Sequence, residues 1–128
     1  MPKKDTAKAK ALQIVRFALE KKAINPLILD LRKLSNFCDY FVIVSGDSAV
    51  QTRAIYKNIL DGSAKNRLGV SHKEDDPESR WLLIDYSDVL VHVFLSKERS
   101  YFDLEYLWKK AKKVPIPKNR TNSERIQA

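Results

Sequence analysis

Three groups of residues have the types from which chemistry is built. Gly46-Asp47-Ser48 lies between an apolar run and the start of a helical pattern, where free backbone N–H groups and a helix dipole commonly hold phosphate. Asp30, Asp39, Asp85 and Asp88 fall in or beside strand-like segments and are candidates to hold the ions of a phosphoryl transferase. Cys38, with His72 or His92, supplies the ingredients of a thiol nucleophile and its base.

Each reading meets a spacing test. A Walker-type loop needs a Lys after its second Gly, and a dinucleotide site needs several spaced glycines. The chain has three Gly in all, with only Gly46 at the strand-to-helix junction. Two-metal transfer needs carboxylates converging on ions roughly 3.5–4 Å apart, most simply from positions i and i+2 of one strand. None of the four Asp is so spaced. Asp103-Leu104-Glu105 has the spacing but falls in a predicted helix, where the two side chains diverge by roughly 200°. One Cys and two His show no zinc-like pattern. Cys38 is expected to be a structural, inert thiol, and His92, inside VLVHVF, a hydrogen-bonded sheet histidine.

These residues must be positioned by elements that the pattern predicts. Leu12, Val15 and Leu19, flanked by Ala11 and Ala18, mark an amphipathic helix over about 7–22, ended by Asn25-Pro26. Residues 27–31 and 39–44 read as strands, the second apolar on both faces. Ser48 with Gln51 forms a capping box for a helix running to about Leu60, with Val50, Ala54, Ile55 and Ile59 as its buried positions and Asp61-Gly62-Ser63 or Leu68-Gly69 as its stop. After a polar, acidic loop over 70–80, residues 81–85 and 89–95 form a hairpin. A last helix is expected from Ser100, capped by Ser100 and Asp103, with Leu104, Leu107, Trp108 and Ala111 as its stripe and Trp108 in the core. The outcome is an α/β fold: a single domain with a mixed β-sheet flanked by helices, over residues 1–114, followed by a basic, disordered tail over 115–128.

The chain has 128 residues, and its net charge of +8 is carried by its ends. Residues 1–10 carry +3 and residues 109–128 carry +6, leaving −1 for the body. Such ends suit either a salt-sensitive contact with a polyanion or plain solvation. No apolar run is long enough to span a bilayer, a secretory signal is not expected, and a lone Cys fits a reducing compartment, so a cytoplasmic location is expected. Aromatic and acidic residues gather in the last third of the domain. Trp81, Leu82, Asp85, Tyr86, Tyr101, Asp103 and Glu105 are the candidate face for docking a basic partner.

DYFVIVSGDS (39–48), WLLIDYSDVLVHVF (81–94) and RSYFDLEYLW (99–108) together resemble the ribosomal silencing factor, or Iojap, family, in order and from the first helix to Val114. The resemblance implies a nucleotidyltransferase-like fold without catalytic carboxylates, and hence no enzyme activity, cofactor or metal. It implies binding to the large ribosomal subunit, chiefly through the ribosomal protein numbered fourteen, so that the small subunit cannot join and translation is repressed. A homodimer of the free protein and contact of the basic tails with ribosomal RNA are further expectations. Two departures stand out: relatives carry Asp-Tyr-Gly-Asp where Ser87 stands, and a Glu-Gly pair in the acidic loop, whereas residues 73–80 contain no Gly. A catalytically active nucleotidyltransferase-like or nucleotide-binding protein is the alternative reading, and a free RNA-binding module resting on the tails is a third.

Overall fold

The computed structural model describes residues 6–117, so both extreme ends, and all of the expected tail from 118 onward, lie outside the described residues. Helix α1 spans Thr6–Leu19 and buries Ala7, Ala11, Ile14, Val15 and Ala18. The buried stripe is centred on small residues, which let the helix approach the sheet closely. Leu12 and Leu19, predicted at its centre, pack at its flank. Strand β1, Ile24–Asp30, begins before the predicted start and takes in Asn25-Pro26. A shift of register between Ile24 and Leu27 accommodates them, because a bulge is where a strand tolerates Pro.

Strand β2 spans Tyr40–Gly46 and helix α2 Ala49–Lys65. The helix runs past the expected stop at Asp61-Gly62-Ser63. Gly62 is there for packing: a Cβ on it would meet the Phe17 ring of α1 at 2.7 Å. Ile55 and Ile59 are buried as expected, joined by Thr52 and Tyr56, whereas Val50 is 81% exposed.

Strands β3 (His72–Glu74), β4 (Trp81–Asp85) and β5 (Val89–Leu95) belong to a six-stranded sheet ordered β3-β4-β5-β2-β1-β6, with β3 at one edge. The β4–β5 hairpin is antiparallel and the central β5–β2 pair is parallel, giving the mixed sheet expected. The hairpin turn places Ser87 at φ 75, the left-handed conformation that favours Gly. The acidic loop repeats this device with Ser79 at φ 57. It is held by Arg53, whose guanidinium donates to Asp75, the Asp76 carbonyl and Ser79 Oγ at 2.8, 2.8 and 3.2 Å.

The last predicted helix is broken. Helix α3 is Ser96–Phe102, and one further turn, α4, is Leu104–Leu107. Between them Asp103 adopts φ 49, ψ 55 and precedes α4 without a side-chain cap bond, so the expected capping by Ser100 and Asp103 does not form, and Leu107 is exposed. The chain then returns as β6, Lys112–Lys113, antiparallel to β1, and Ile116 still packs against the core.

Period-two alternation divides the sheet's side chains into two sets. Ile28, Val42, Val44, Leu82, Ile84, Val91 and Val93 pack with α1 and α2 into the main core. Leu29, Ile43 and Phe94 point the other way, where the cover is a short segment that includes Leu104, Trp108 and Ala111.

Candidate functional site, an open aromatic sheet face

The sparsely covered side of the sheet carries a layer of rings. Trp81, half-buried at the start of β4, lies 4.7 Å from Phe94 and 4.7 Å from Phe102, centroid to centroid. Its indole N–H donates to His92 Nδ1 at 3.1 Å. That bond makes Nδ1 the acceptor and leaves the proton on Nε2, which is buried without a partner. Burial lowers the His92 pKa to about 3, so the ring is neutral. Phe41 of β2 lies edge-on to His92 at 4.6 Å and to Trp108 at 5.6 Å. Tyr101, 81% exposed, meets Phe102 edge-on at 5.1 Å. The rings thus run without a break from α3 across β4 and β5 to β2 and the segment after α4.

Two hollows flank this layer. One, of about 470 Å³, is lined by Trp81, Tyr101, Phe102, Arg80, Lys97, Asp76 and Glu98. The other, of about 390 Å³, is lined by Phe37, Phe41, Leu90, Trp108, Cys38, Asp85 and two serines. Phe37 at its rim is 91% exposed. A half-buried ring layer with exposed aromatics at both ends is the composition of an interface core.

The seven candidates from the sequence divide sharply. Trp81 and Asp85 are half-buried and Tyr101 is exposed, each lining a hollow beside the rings, while Asp103 is exposed at the α3–α4 bend. Leu82 is a correction: it points to the opposite side, fully buried in the helix-facing core. Strand alternation puts Leu83, not Leu82, beside Trp81. Tyr86 is a second correction, for it too is buried, sharing a 2.6 Å hydrogen bond with Ser63 Oγ, and burial pushes its pKa up to about 12. Glu105 is held in a two-point pair by the buried Arg99, at 3.2 and 3.1 Å. Arg99 also donates to Ser45 Oγ and the Ile24 carbonyl, so this pair fastens α3 and α4 to the sheet. Asp85 accepts the Ser87 N–H at 2.7 Å, bracing the turn. Trp108, expected in the core, is half-buried on the open face. Phe41, His92 and Phe94 were missed as members of the face because their strands read as wholly apolar.

The groups considered for chemistry have other partners. At the strand-to-helix corner, the Asp47 N–H donates to Gln51 Oε1 at 2.8 Å and the Gln51 N–H to Ser48 Oγ at 3.1 Å. The capping box therefore forms, with Gln51 reaching one residue further back than expected. A Cβ on Gly46 would meet Thr52 Oγ1 at 2.7 Å, so this glycine lets α2 sit close to β2. Asp30 is gripped by Arg32 at 2.8 Å, which holds its carboxyl below the usual range, and Asp88 pairs with Lys10 at 2.8 Å. Burial, with Asp39 and Asp85 adding to it, pushes the Cys38 thiol up to about 11, which suppresses the nucleophilic thiolate. Among the described residues no three His, Cys, Asp or Glu are grouped to hold a metal ion.

The family model described as "Ribosomal silencing factor during starvation" matches residues 4–128. The chain belongs to the RsfS family. The ribosomal silencing factor RsfS of Bacillus subtilis is 44% identical over 89 residues, covering 70% of this chain and 75% of that protein. The chloroplastic protein Iojap of Zea mays is 31% identical over 107 residues, which is 84% of this chain and 46% of that longer protein. A crystal structure of a Bacillus halodurans protein superposes with a TM-score of 0.75 at 31% identity, covering 84% of this chain and 98% of that one. A Chromobacterium violaceum structure, with TM-score 0.78 at 23% identity, shares the RsfS-like fold.

Proposed function

We propose that this RsfS-family chain represses translation by docking its open aromatic face on the large ribosomal subunit, through the ribosomal protein numbered fourteen, where its bulk keeps the small subunit from joining. The observation that carries this reading is the continuous ring layer in which Tyr101, Phe102, Trp81, Phe41 and Trp108 reach the surface around the buried His92 and Phe94. Asp85 lines the hollow beside Phe41 and Trp108, and the exposed Asp103 follows Phe102 at the α3–α4 bend, both suited to a partner rich in Lys or Arg. Leu82, Tyr86 and Glu105 drop out of the contact set, and Leu83, Phe41 and Phe102 enter it. The action is steric occupancy without catalysis or cofactor, in the cytoplasm. The basic ends add a salt-sensitive contact with ribosomal RNA, and in the free protein the same face supports a homodimer, which competes with docking.

Co-sedimentation with purified large subunits tests this. Trp81→Ala with Asp85→Ala weakens binding by about 2–4 kcal/mol, roughly 30-fold or more, as loss of a central aromatic anchor does. The same variant fails to block small-subunit joining. Binding equal to the parent's overturns the site. The enzymatic reading makes a different prediction: Mg²⁺-dependent heat of binding with ATP or CTP, lost in Gly46→Val. A flat titration of the parent removes it.

A further inference from the structure

We propose that the β1–β6 edge of the sheet is a second contact surface, one that grips the phosphate backbone of RNA. This rests on the ribosomal reading for the identity of the neighbour, though its evidence is separate. A hollow of about 490 Å³ opens at this edge, with Arg32 and Lys33 contributing from the loop after β1, and Lys110 and Lys112 from the segment that returns as β6. Residues 30–34 and 109–113 together hold six Lys or Arg and one carboxylate, Asp30. That carboxylate is already bound by Arg32.

Elsewhere on the domain, several cations are paired locally. Lys10 pairs with Asp88, Arg53 with Asp75, Arg80 with Asp76 and Arg99 with Glu105. At this edge the lysines have been concentrated instead, although like charges at such spacing repel. Such an arrangement is favoured when an anion relieves the repulsion, and a line of ammonium groups suits phosphates that displace condensed counterions. An acidic protein is a poorer fit, because interfaces of that kind rely on large apolar anchors and the hollow offers only Leu34 and Ala111. A membrane is a poorer fit too, since no amphipathic helix carries these lysines. The opposite edge, residues 72–80, holds four carboxylates against one Lys and one Arg, so the surface is polarised along the sheet. The folded edge, rather than the terminal tail alone, therefore sets where RNA lies relative to the aromatic face.

The test is fluorescence anisotropy with a short labelled RNA duplex across a salt series, using the full chain, a Lys110→Glu/Lys112→Glu variant, and a chain ending at residue 117. Both substituted side chains are exposed, and β6 pairs through its backbone, so the variant keeps its fold. The variant is expected to bind RNA at least tenfold more weakly, with its salt slope reduced by about one per lysine. The shortened chain is expected to keep measurable RNA binding that the same two substitutions abolish. An unchanged affinity in the variant, loss of all binding on shortening, or tighter binding to phosphatidylserine vesicles than to RNA at equal salt each overturns the proposal. Trp81→Ala separates the two surfaces: it leaves duplex binding unchanged while weakening large-subunit docking. RNA binding lost in Trp81→Ala also overturns the assignment to this edge.

Discussion

Trp81 and His92 show how much one hydrogen bond can organise. The indole N–H has its acceptor inside the ring layer, so Trp81 is oriented before any partner arrives, which lowers the ordering cost of docking. The same burial makes stability depend on pH. The folded His92 has a pKa near 3 against an ordinary 6.5, so above pH 6.5 both folded and unfolded chains are neutral there. Below it the unfolded chain takes up a proton that the folded one refuses. Stability is therefore lost from pH 6.5 downward, at up to roughly 1.4 kcal/mol per pH unit, until about pH 3. Urea midpoints at pH 7 and pH 5 should differ in the parent and nearly coincide in His92→Leu, which is less stable at pH 7 by about 1–3 kcal/mol because Trp81 loses its acceptor. Residue types made Trp81, Tyr101 and the inert Cys38 legible in the sequence. Leu82 and Tyr86 misled because an aromatic-acidic cluster in sequence carries no face; only counting by twos from Trp81 separates 81, 83 and 85 from 82, 84 and 86.

At the scale of elements, one glycine and one missing glycine carry the lessons. Gly62 looked like a helix stop, yet it is the notch that receives Phe17. Gly62→Ala gains up to about 1 kcal/mol of helix propensity but forces the ring back, and a net destabilisation of about 1–3 kcal/mol is expected by urea titration. A more stable Gly62→Ala contradicts the notch. Ser87 is the reverse case, a side chain held at φ 75 in the hairpin. Ser87→Gly should raise stability by about 0.5–1 kcal/mol, read as a higher midpoint, the relief of strain exceeding the lost 2.8 Å contact with Ser71. The hairpin, α1 and the central strands were legible because long periodic runs decide them. The α3–α4 break was not, for the stripe from Leu104 continues smoothly in sequence. Its cause is tertiary: Arg99 anchors α3 to Ser45 and Ile24 while reaching Glu105 beyond the bend. Strand β6 escaped notice because two lysines have no apolar pattern, and β1 supplies the pairing.

For the whole molecule, one side of the sheet packs under the two long helices and the other is the side proposed to dock, while charge is sorted along the perpendicular direction. A partner held by the rings and by the basic edge has only one orientation available, which suits a protein acting by obstruction. Because the folded face carries most of the proposed affinity, a chain ending at residue 117 should pellet with large subunits within about threefold of the parent at physiological salt, where exposed charges are screened. Loss of pelleting would move the affinity to the tail.

The parallel β2–β5 pair has a consequence for how the protein comes into being. The ring layer takes Phe41 from the first half of the chain and Trp81, His92 and Trp108 from the second, and β2 has no β5 beside it until the intervening helix and hairpin exist. During synthesis the recognition face is therefore the last thing to form, completed only after the segment carrying Trp108 and β6 has left the exit tunnel. A protein proposed to idle ribosomes is in this way unable to engage the one that is making it until the segment carrying Trp108 and β6 has emerged.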